Sequence, residues 1–189
     1  MKSSTPQQTK KNGIPQTITT RMAPSPTGPF HVGGVRTALY NYLFARKHGG
    51  CFVLRIEDTD RERSKTEFEL QIKEVFSWLG IEYDDYVRQS ERSSLYKKHI
   101  EQLISSNRAY ISEEKPSDED IAKAEKIGKK LRNSVIRLRN PGKIVTFTDE
   151  ILGSISVDTA DLGDFIIARD ITEPVYHFAV VVDDFNMTI

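Results

Sequence analysis

The apolar run CFVLRIED, residues 51–58, constrains the fold more than any other stretch of this chain. Its apolar residues are nearly continuous, without the polar alternation of a half-solvated strand, so both faces call for burial. That is the pattern of a strand inside a parallel sheet covered by other elements. Upstream, Val35, Ala38, Leu39, Tyr42 and Leu43 recur at helical spacing as far as Lys47, and His48, Gly49 and Gly50 then stop the helix. A short strand over residues 16–22 precedes them. Strand, loop, helix, glycines and strand make one βαβ unit.

Further along, Phe68, Ile72, Val75, Phe76 and Leu79 form a helical stripe ending at Gly80, and Tyr96, Ile100, Leu103 and Ile104 mark another helix. Between them IEYDDYVRQS is mixed. Residues 112–132, acidic first and basic later, carry too few apolar side chains for a core and read as a loop with a short exposed helix. The pattern then changes to short strands, SVIRLR, KIVTFTD, SISVDT and DFIIAR, punctuated by NPG and LGS. This antiparallel-looking material reads as an insert in the α/β start. VYHFAVVVDD, residues 175–184, has the composition of a buried strand or a core helix.

Composition excludes several classes. Lys+Arg and Asp+Glu both number 27, so the whole chain exerts no net pull on nucleic acid and only local patches can. A single cysteine, Cys51, rules out an internal disulfide framework and fits a reducing compartment. The first 20 residues lack an apolar signal region, and no 18-residue apolar run exists. A cytoplasmic protein with a flexible leading tail and no membrane partner is expected.

The loop MAPSPTGPFHVGG, residues 22–34, joins the first strand to the first helix, and a packed core needs nothing of its kind. A helix start near Gly33 offers backbone N–H groups and a partial positive charge to a phosphate. Gly33 and Gly34 let a ligand lie against the backbone, His31 can donate to a phosphoryl oxygen, and the prolines fix the approach of Ser25 and Thr27. It is neither a P-loop nor a dinucleotide fingerprint. On the residues alone, a rigid structural turn bearing a surface histidine accounts for the loop as well as phosphate binding does.

RMAPSPTGPFHVGGVRTALYNYLFARKHGG followed by FVLRIEDTDRERS resembles the start of the bacterial glutamyl-tRNA synthetases, which are class I aminoacyl-tRNA synthetases. His31-Val32-Gly33-Gly34 matches their HIGH signature, and YVRQSER, VIRLRNPGKIVTFTD and DLGDFIIARDITEPVYHFAVVVDDF continue the likeness. Glutaminyl enzymes fit less well, since their loop lacks the APSPTG form. The resemblance implies an α/β fold: a Rossmann-like nucleotide-binding domain, incomplete here, with an inserted α+β acceptor-stem-binding subdomain. The expected division is a tail over 1–19, the first half of the catalytic domain over 20–108, the insert over 109–174, and a return to the catalytic domain over 175–189.

It further implies ATP at the loop, through Pro24, Thr27, His31, Gly33 and Gly34. Thr27 and His31 would act at the phosphates, Gly33 would admit the adenine-ribose, and Mg²⁺ would accompany the nucleotide. Glutamate would attack the α-phosphate, and the adenylate would esterify the end of tRNA(Glu). For the amino acid, Arg21 offers a carboxylate clamp, Glu57 an acceptor for the ammonium group, and Ser25 a hydroxyl, all at carboxyl strand ends. A surface pair would explain Arg21 and Glu57 on composition alone; the intact motif around both favours the pocket. The family adds Tyr176.

Asp60 and Arg63 resemble positions near the tRNA end, though a DRER run also suits a solvated helix start. Arg137 and Arg139, with Arg132 and Lys143, could meet acceptor-stem phosphates, or form a polar outer face. Residues 112–132 contain neither Cys nor His, so no zinc site is expected there. The family's Lys-containing second signature and a further pocket arginine lie past Ile189 in relatives. An N-terminal portion, inactive by itself, is therefore expected, and a monomer for the complete protein. Two alternatives remain: a non-catalytic tRNA- or nucleotide-binding module, and a paralogue of the glutamyl-queuosine tRNA(Asp) type.

Overall fold

The protein is described by a computed structural model over residues 18–114, 119, 133–149 and 151–189. The expected leading tail, the exposed helix of the 112–132 segment and Arg132 fall wholly or largely outside these residues. Two units are defined, Met1–Glu91 with Asp184–Ile189, and Arg92–Asp183.

In the first unit β1 (Thr19–Met22), α1 (Val32–Lys47), β2 (Cys51–Ile56), α2 (Thr66–Leu79) and β3 (Asp85–Arg88) follow in order. The sheet order is β1-β2-β3, with both pairings parallel. β2 is the middle strand, and Phe52 through Ile56 are all buried, as the run CFVLRI requires. Gly50 sets its start: a Cβ there would overlap the backbone oxygen of Ile18, which accepts from the Cys51 N–H at 2.8 Å. Phe52, Leu54, Ile56, Ile72, Phe76 and Ile81 form the centre of the core, with Ala38 and Ala45 from α1. Burying each of the large side chains is worth about 1.5–3 kcal/mol.

α2 ends as its sequence predicts. Gly80 adopts φ 67°, and the Ile81 N–H returns to the Phe76 carbonyl at 2.9 Å, the left-handed cap that favours glycine. β3 is not evident in the sequence because it is a polar edge strand. Its Tyr86 and Arg88 turn to Glu69 of α2, which is 5% exposed although it sits in the helix's buried stripe. Glu69 Oε1 accepts from the Tyr86 hydroxyl at 2.5 Å and from Arg88 Nη2 at 2.8 Å, and Lys73 Nζ lies 2.8 Å away. Burial raises the Glu69 carboxyl, but Arg88, Lys73 and Tyr86 outweigh it and lower the pKa to about 2.

The second unit contains α3 (Ser93–Ser105), β4 (Ala109–Glu113), β5 (Ser134–Leu138), β6 (Ile144–Asp149), β7 (Gly153–Asp158), β8 (Ile166–Asp170) and β9 (Glu173–Pro174). β4, β5, β8 and β9 make an antiparallel sheet and β6–β7 a separate hairpin. The four strands expected from the sequence are present. β4 and the two-residue β9 are additional, being too short or too polar to signal themselves. The core collects Ile100, Ala109, Ile136, Ile167 and Ala168. Residues 175–184 fall largely in a helix, α4 (Tyr176–Asn186), which the division into units cuts between Asp183 and Asp184. Asp183, fully buried in the second unit, accepts from Arg92 Nε at 2.7 Å and from the Tyr96 hydroxyl at 2.9 Å.

Glu69 carries a prediction about acid stability. Its folded pKa of about 2 lies below the ordinary 4.5, so its contribution is complete above pH 4.5 and disappears as the pH falls toward 2. Allowing for the partly exposed Arg88 and Lys73, that contribution is about 2 kcal/mol. Glu69→Gln should lower the melting temperature at pH 7 by roughly 4–8 °C. It should also flatten the loss of stability between pH 4.5 and 2, read by thermal melts across that range.

Candidate active site

The loop after β1 is stapled at three points. The Pro24 carbonyl accepts from the Glu57 N–H at 3.0 Å, the Pro26 carbonyl accepts from the Lys65 N–H at 2.9 Å, and the Phe30 N–H donates to Gln71 Oε1 at 2.9 Å. Pro24 and Pro26 are buried, while Ser25 and Thr27 stand exposed between and beyond them. Proline suits these points because its φ is preset and each supplies only a carbonyl. The loop is thereby held against the carboxyl end of β2 as well as that of β1.

His31 is the N-cap of α1. Its Nδ1 accepts from the Gly33 N–H at 3.1 Å, and its carbonyl accepts from Gly34 at 2.9 Å and Val35 at 3.2 Å. The amides expected to be open for an anion at Gly33 and Gly34 are thus already taken by His31 itself, because a side chain that caps a helix satisfies the same donors. With Nδ1 accepting, the neutral ring carries its proton on Nε2, where it can donate outward. Glycine at 33 has a local cause too: a Cβ there would lie 2.9 Å from His31 Cε1. At Gly34 a Cβ would meet the Phe30 ring at 2.5 Å.

Arg21 and Glu57 belong to one charged network at the carboxyl ends of β1 and β2. Arg21 donates through Nε to Asp184 Oδ1 at 2.7 Å and through Nη2 to Oδ2 at 3.0 Å. Arg55 Nη1 donates to the same Oδ1 at 2.7 Å, and Arg55 Nη2 donates to Glu57 Oε1 at 3.2 Å. Arg55 is fully buried, and Glu57 nearly so. Burial pushes the Asp184 carboxyl up, yet Arg21 and Arg55 hold it below the usual carboxylate range. Arg55 and Asp184 were not singled out in the sequence, although a lone arginine inside a doubly buried strand is itself a signal. A cleft of about 380 Å³ lies beside β1 and α1, with Arg21, Ala23, Thr37, Asn41 and Ile189 on its walls.

The remaining candidates are distributed otherwise. Asp60 and Arg63 pair with each other, Nε to Oδ2 at 2.6 Å, on an exposed turn. Arg63 lowers the Asp60 pKa. Tyr176 begins α4 in the second unit, half exposed, against the ring of His177. Arg137 is bound to Glu114 at 2.9 Å and to the Asp164 carbonyl at 2.8 Å. Arg139 donates to Asn107 Oδ1 at 3.2 Å and covers the Tyr110 ring at 4.5 Å. Two strand ends, a histidine-capped helix start and a proline-fixed loop meet at the carboxyl edge of the parallel sheet, the edge at which open α/β folds bind their ligands.

The chain belongs to the family of class I tRNA synthetases (E and Q), catalytic domain, whose model matches residues 17–130 and 114–189. It is 45% identical to the glutamate–tRNA ligase of Hydrogenobaculum sp. (strain Y04AAS1), over 91% of this chain and 42% of that protein. It is 42% identical to that of Aquifex aeolicus (strain VF5), over 91% and 41%. A crystal structure of a glutamate tRNA ligase from Elizabethkingia meningosepticum in complex with its amino acid superposes with a TM-score of 0.77 at 36% identity. That match covers 92% of this chain and 42% of the other. The chain therefore spans about two fifths of the length of these relatives. The fold class and the family expected from the sequence are both met.

Gly33→Ala separates the cap from helix propensity. The added methyl must displace the imidazole, losing a cap worth about 1 kcal/mol while gaining a comparable helix preference. Stability should change by less than about 1 kcal/mol. The ¹⁵N resonances of His31 should nonetheless move from a fixed Nε2–H tautomer to a mixture, seen by long-range ¹H–¹⁵N NMR.

Proposed function

We propose that this chain carries the ATP loop and part of the glutamate pocket of a glutamate–tRNA ligase. The observation that carries the reading is the His31 cap, which fixes an Nε2–H donor at the start of α1 beside the carboxyl ends of β1 and β2. ATP would lie over His31, Gly33 and Gly34, with Thr27 at its phosphates and Pro24 holding the loop. Magnesium would arrive on those phosphates, since among the described residues no three His, Cys, Asp or Glu side chains gather to hold a metal ion.

Glutamate would place its side-chain carboxylate on Arg21 and its ammonium group toward Glu57, with Ser25 and Tyr176 adding hydroxyls. Its α-carboxylate then attacks the α-phosphorus and pyrophosphate leaves. Charge accumulates on phosphoryl oxygens during that step, and the positive helix end and the His31 Nε2–H would meet it. The nucleophile and nucleotide need only be held together, which is the larger part of such a reaction. A ribose hydroxyl of the terminal adenosine of tRNA(Glu) would then take the glutamyl group from the adenylate as an ester, with AMP leaving and with Asp60 and Arg63 near that end. Arg137 and Arg139 would take acceptor-stem phosphates only by sharing the partners described above, so their expected contribution is small. A cytoplasmic location and a monomeric whole protein complete the proposal.

The test is thermal melting of the chain with a sulfamoyl mimic of glutamyl-adenylate. At 100 times its dissociation constant the mimic should raise the melting temperature by roughly 5–10 °C. His31→Ala and Arg21→Ala should each remove most of that rise. A shift with tRNA(Glu) but none with the mimic would instead assign a non-catalytic tRNA-binding module. Preference for tRNA(Asp) would assign the glutamyl-queuosine paralogue.

A further inference from the structure

We infer that Asp184 is a positioning residue of the amino-acid pocket, holding the Arg21 guanidinium in the one orientation that presents it to a substrate carboxylate. The inference rests on the proposed reading of Arg21 as the partner of that carboxylate. Arginine has a long, rotamer-rich side chain, and a clamp for a planar group works only if its plane is fixed. Asp184 does this by side-on pairing, Oδ1 with Nε at 2.7 Å and Oδ2 with Nη2 at 3.0 Å. Two parallel contacts to one edge determine both the plane and the direction of the guanidinium.

An aspartate in this place could instead be a stand-in that the substrate displaces. Its second duty argues against that. Asp184 Oδ1 also accepts from Arg55 Nη1 at 2.7 Å, and Arg55 is fully buried in β2. Moving Asp184 aside would strip the buried Arg55 guanidinium of the closer of its two described carboxylates, leaving Glu57 at 3.2 Å, and loosening a buried charge is costlier than loosening an exposed ion pair. Both arginines also keep Asp184 ionised. The substrate therefore meets Arg21 with Asp184 still in place.

Nor does the fold by itself require the contact with Arg21. That side chain is 28% exposed, enough for water to solvate its charge, whereas Arg55 has no such recourse. What the Arg21–Asp184 pair adds is direction. Across Arg21, Arg55, Glu57 and Asp184 the formal charges cancel, with a cation at one strand end and a carboxylate at the next.

The experiment is ¹H–¹⁵N NMR of the arginine Nε–H groups of the chain, titrated with L-glutamate and separately with ATP, for the wild type, Asp184→Asn, Asp184→Glu and Arg21→Lys. In the wild type the Arg21 Nε–H should exchange slowly compared with that of exposed Arg36, and should shift on adding glutamate. Asp184→Asn should speed that exchange and weaken glutamate binding roughly tenfold, with ATP binding held within about twofold. Asp184→Glu should recover part of the glutamate affinity. Adding Asp184→Asn to Arg21→Lys should cost little more, as expected of two residues acting through one contact.

Equal glutamate affinity in the wild type and Asp184→Asn overturns the inference alone. Absence of glutamate binding by the wild type overturns the reading of Arg21, and this inference with it. If Asp184→Asn does not fold, the wild-type exchange rate still decides, since an Arg21 Nε–H as labile as that of Arg36 excludes positioning.

Discussion

A guanidinium inside the middle strand of a sheet has to be neutralised where it stands, and Arg55 organises the first unit around that requirement. It is fully buried, with Phe52, Val53, Leu54 and Ile56 of the same strand buried around it. Glu57, two positions on, supplies one carboxylate, and Asp184, 129 positions on, supplies the other. A buried pair of this kind is no guarantee of net stability, since well-packed apolar residues often do as well. Its effect is on specificity of arrangement. The carboxyl ends of β1 and β2 are tied to the last turn of α4, so that Arg21 and Glu57 become parts of one network.

The helix start solves a related problem differently. An open N-terminus is a general anion site, but its donors are equally available to water. His31 takes up the Gly33 and Gly34 amides and exports a single N–H in return. On the proposed reading, what faces the phosphates is a side-chain donor whose tautomer is set by the backbone. That arrangement trades a diffuse cradle for a directed one. Glycine also suits both positions locally, since a Cβ at 33 would press on the imidazole and one at 34 on the Phe30 ring.

Much of this was legible in the sequence wherever burial leaves a repeating mark. The run CFVLRI announced β2, the stripe from Phe68 to Leu79 announced α2, and Gly80 announced its end. The short strands from SVIRLR to DFIIAR announced the antiparallel material of the second unit. What escaped was fixed by partners far away in the chain. β3 has too polar a face to read as a strand until Glu69 is seen bonding Tyr86 and Arg88 across it. For residues 175–184 the composition allowed strand or helix, and the fold settled on the helix α4. Asp184 looks like one half of an ordinary acidic doublet. Its neighbour Asp183 serves Arg92 and Tyr96 in the second unit, while Asp184 serves Arg21 and Arg55 in the first, and no local pattern distinguishes the two.

The distribution of arginines completes the physical argument. Of the basic side chains that the sequence offered to a nucleic acid, Arg63, Arg137 and Arg139 each have a nearby protein partner, in Asp60, in Glu114 and in Asn107 with Tyr110. A phosphate that recruits one of them must compete with a contact already made, so the net gain is the difference between two interactions. Arg21 is held by its partner as well, but the consequence is the reverse. Its carboxylate is itself held from behind by the buried Arg55. On the proposed reading a ligand carboxylate would bind Arg21 in addition to Asp184, so that the contact with Asp184 would orient the guanidinium without being lost on binding. Whether a protein-bound arginine is spent or prepared thus depends on how firmly its carboxylate is anchored from behind.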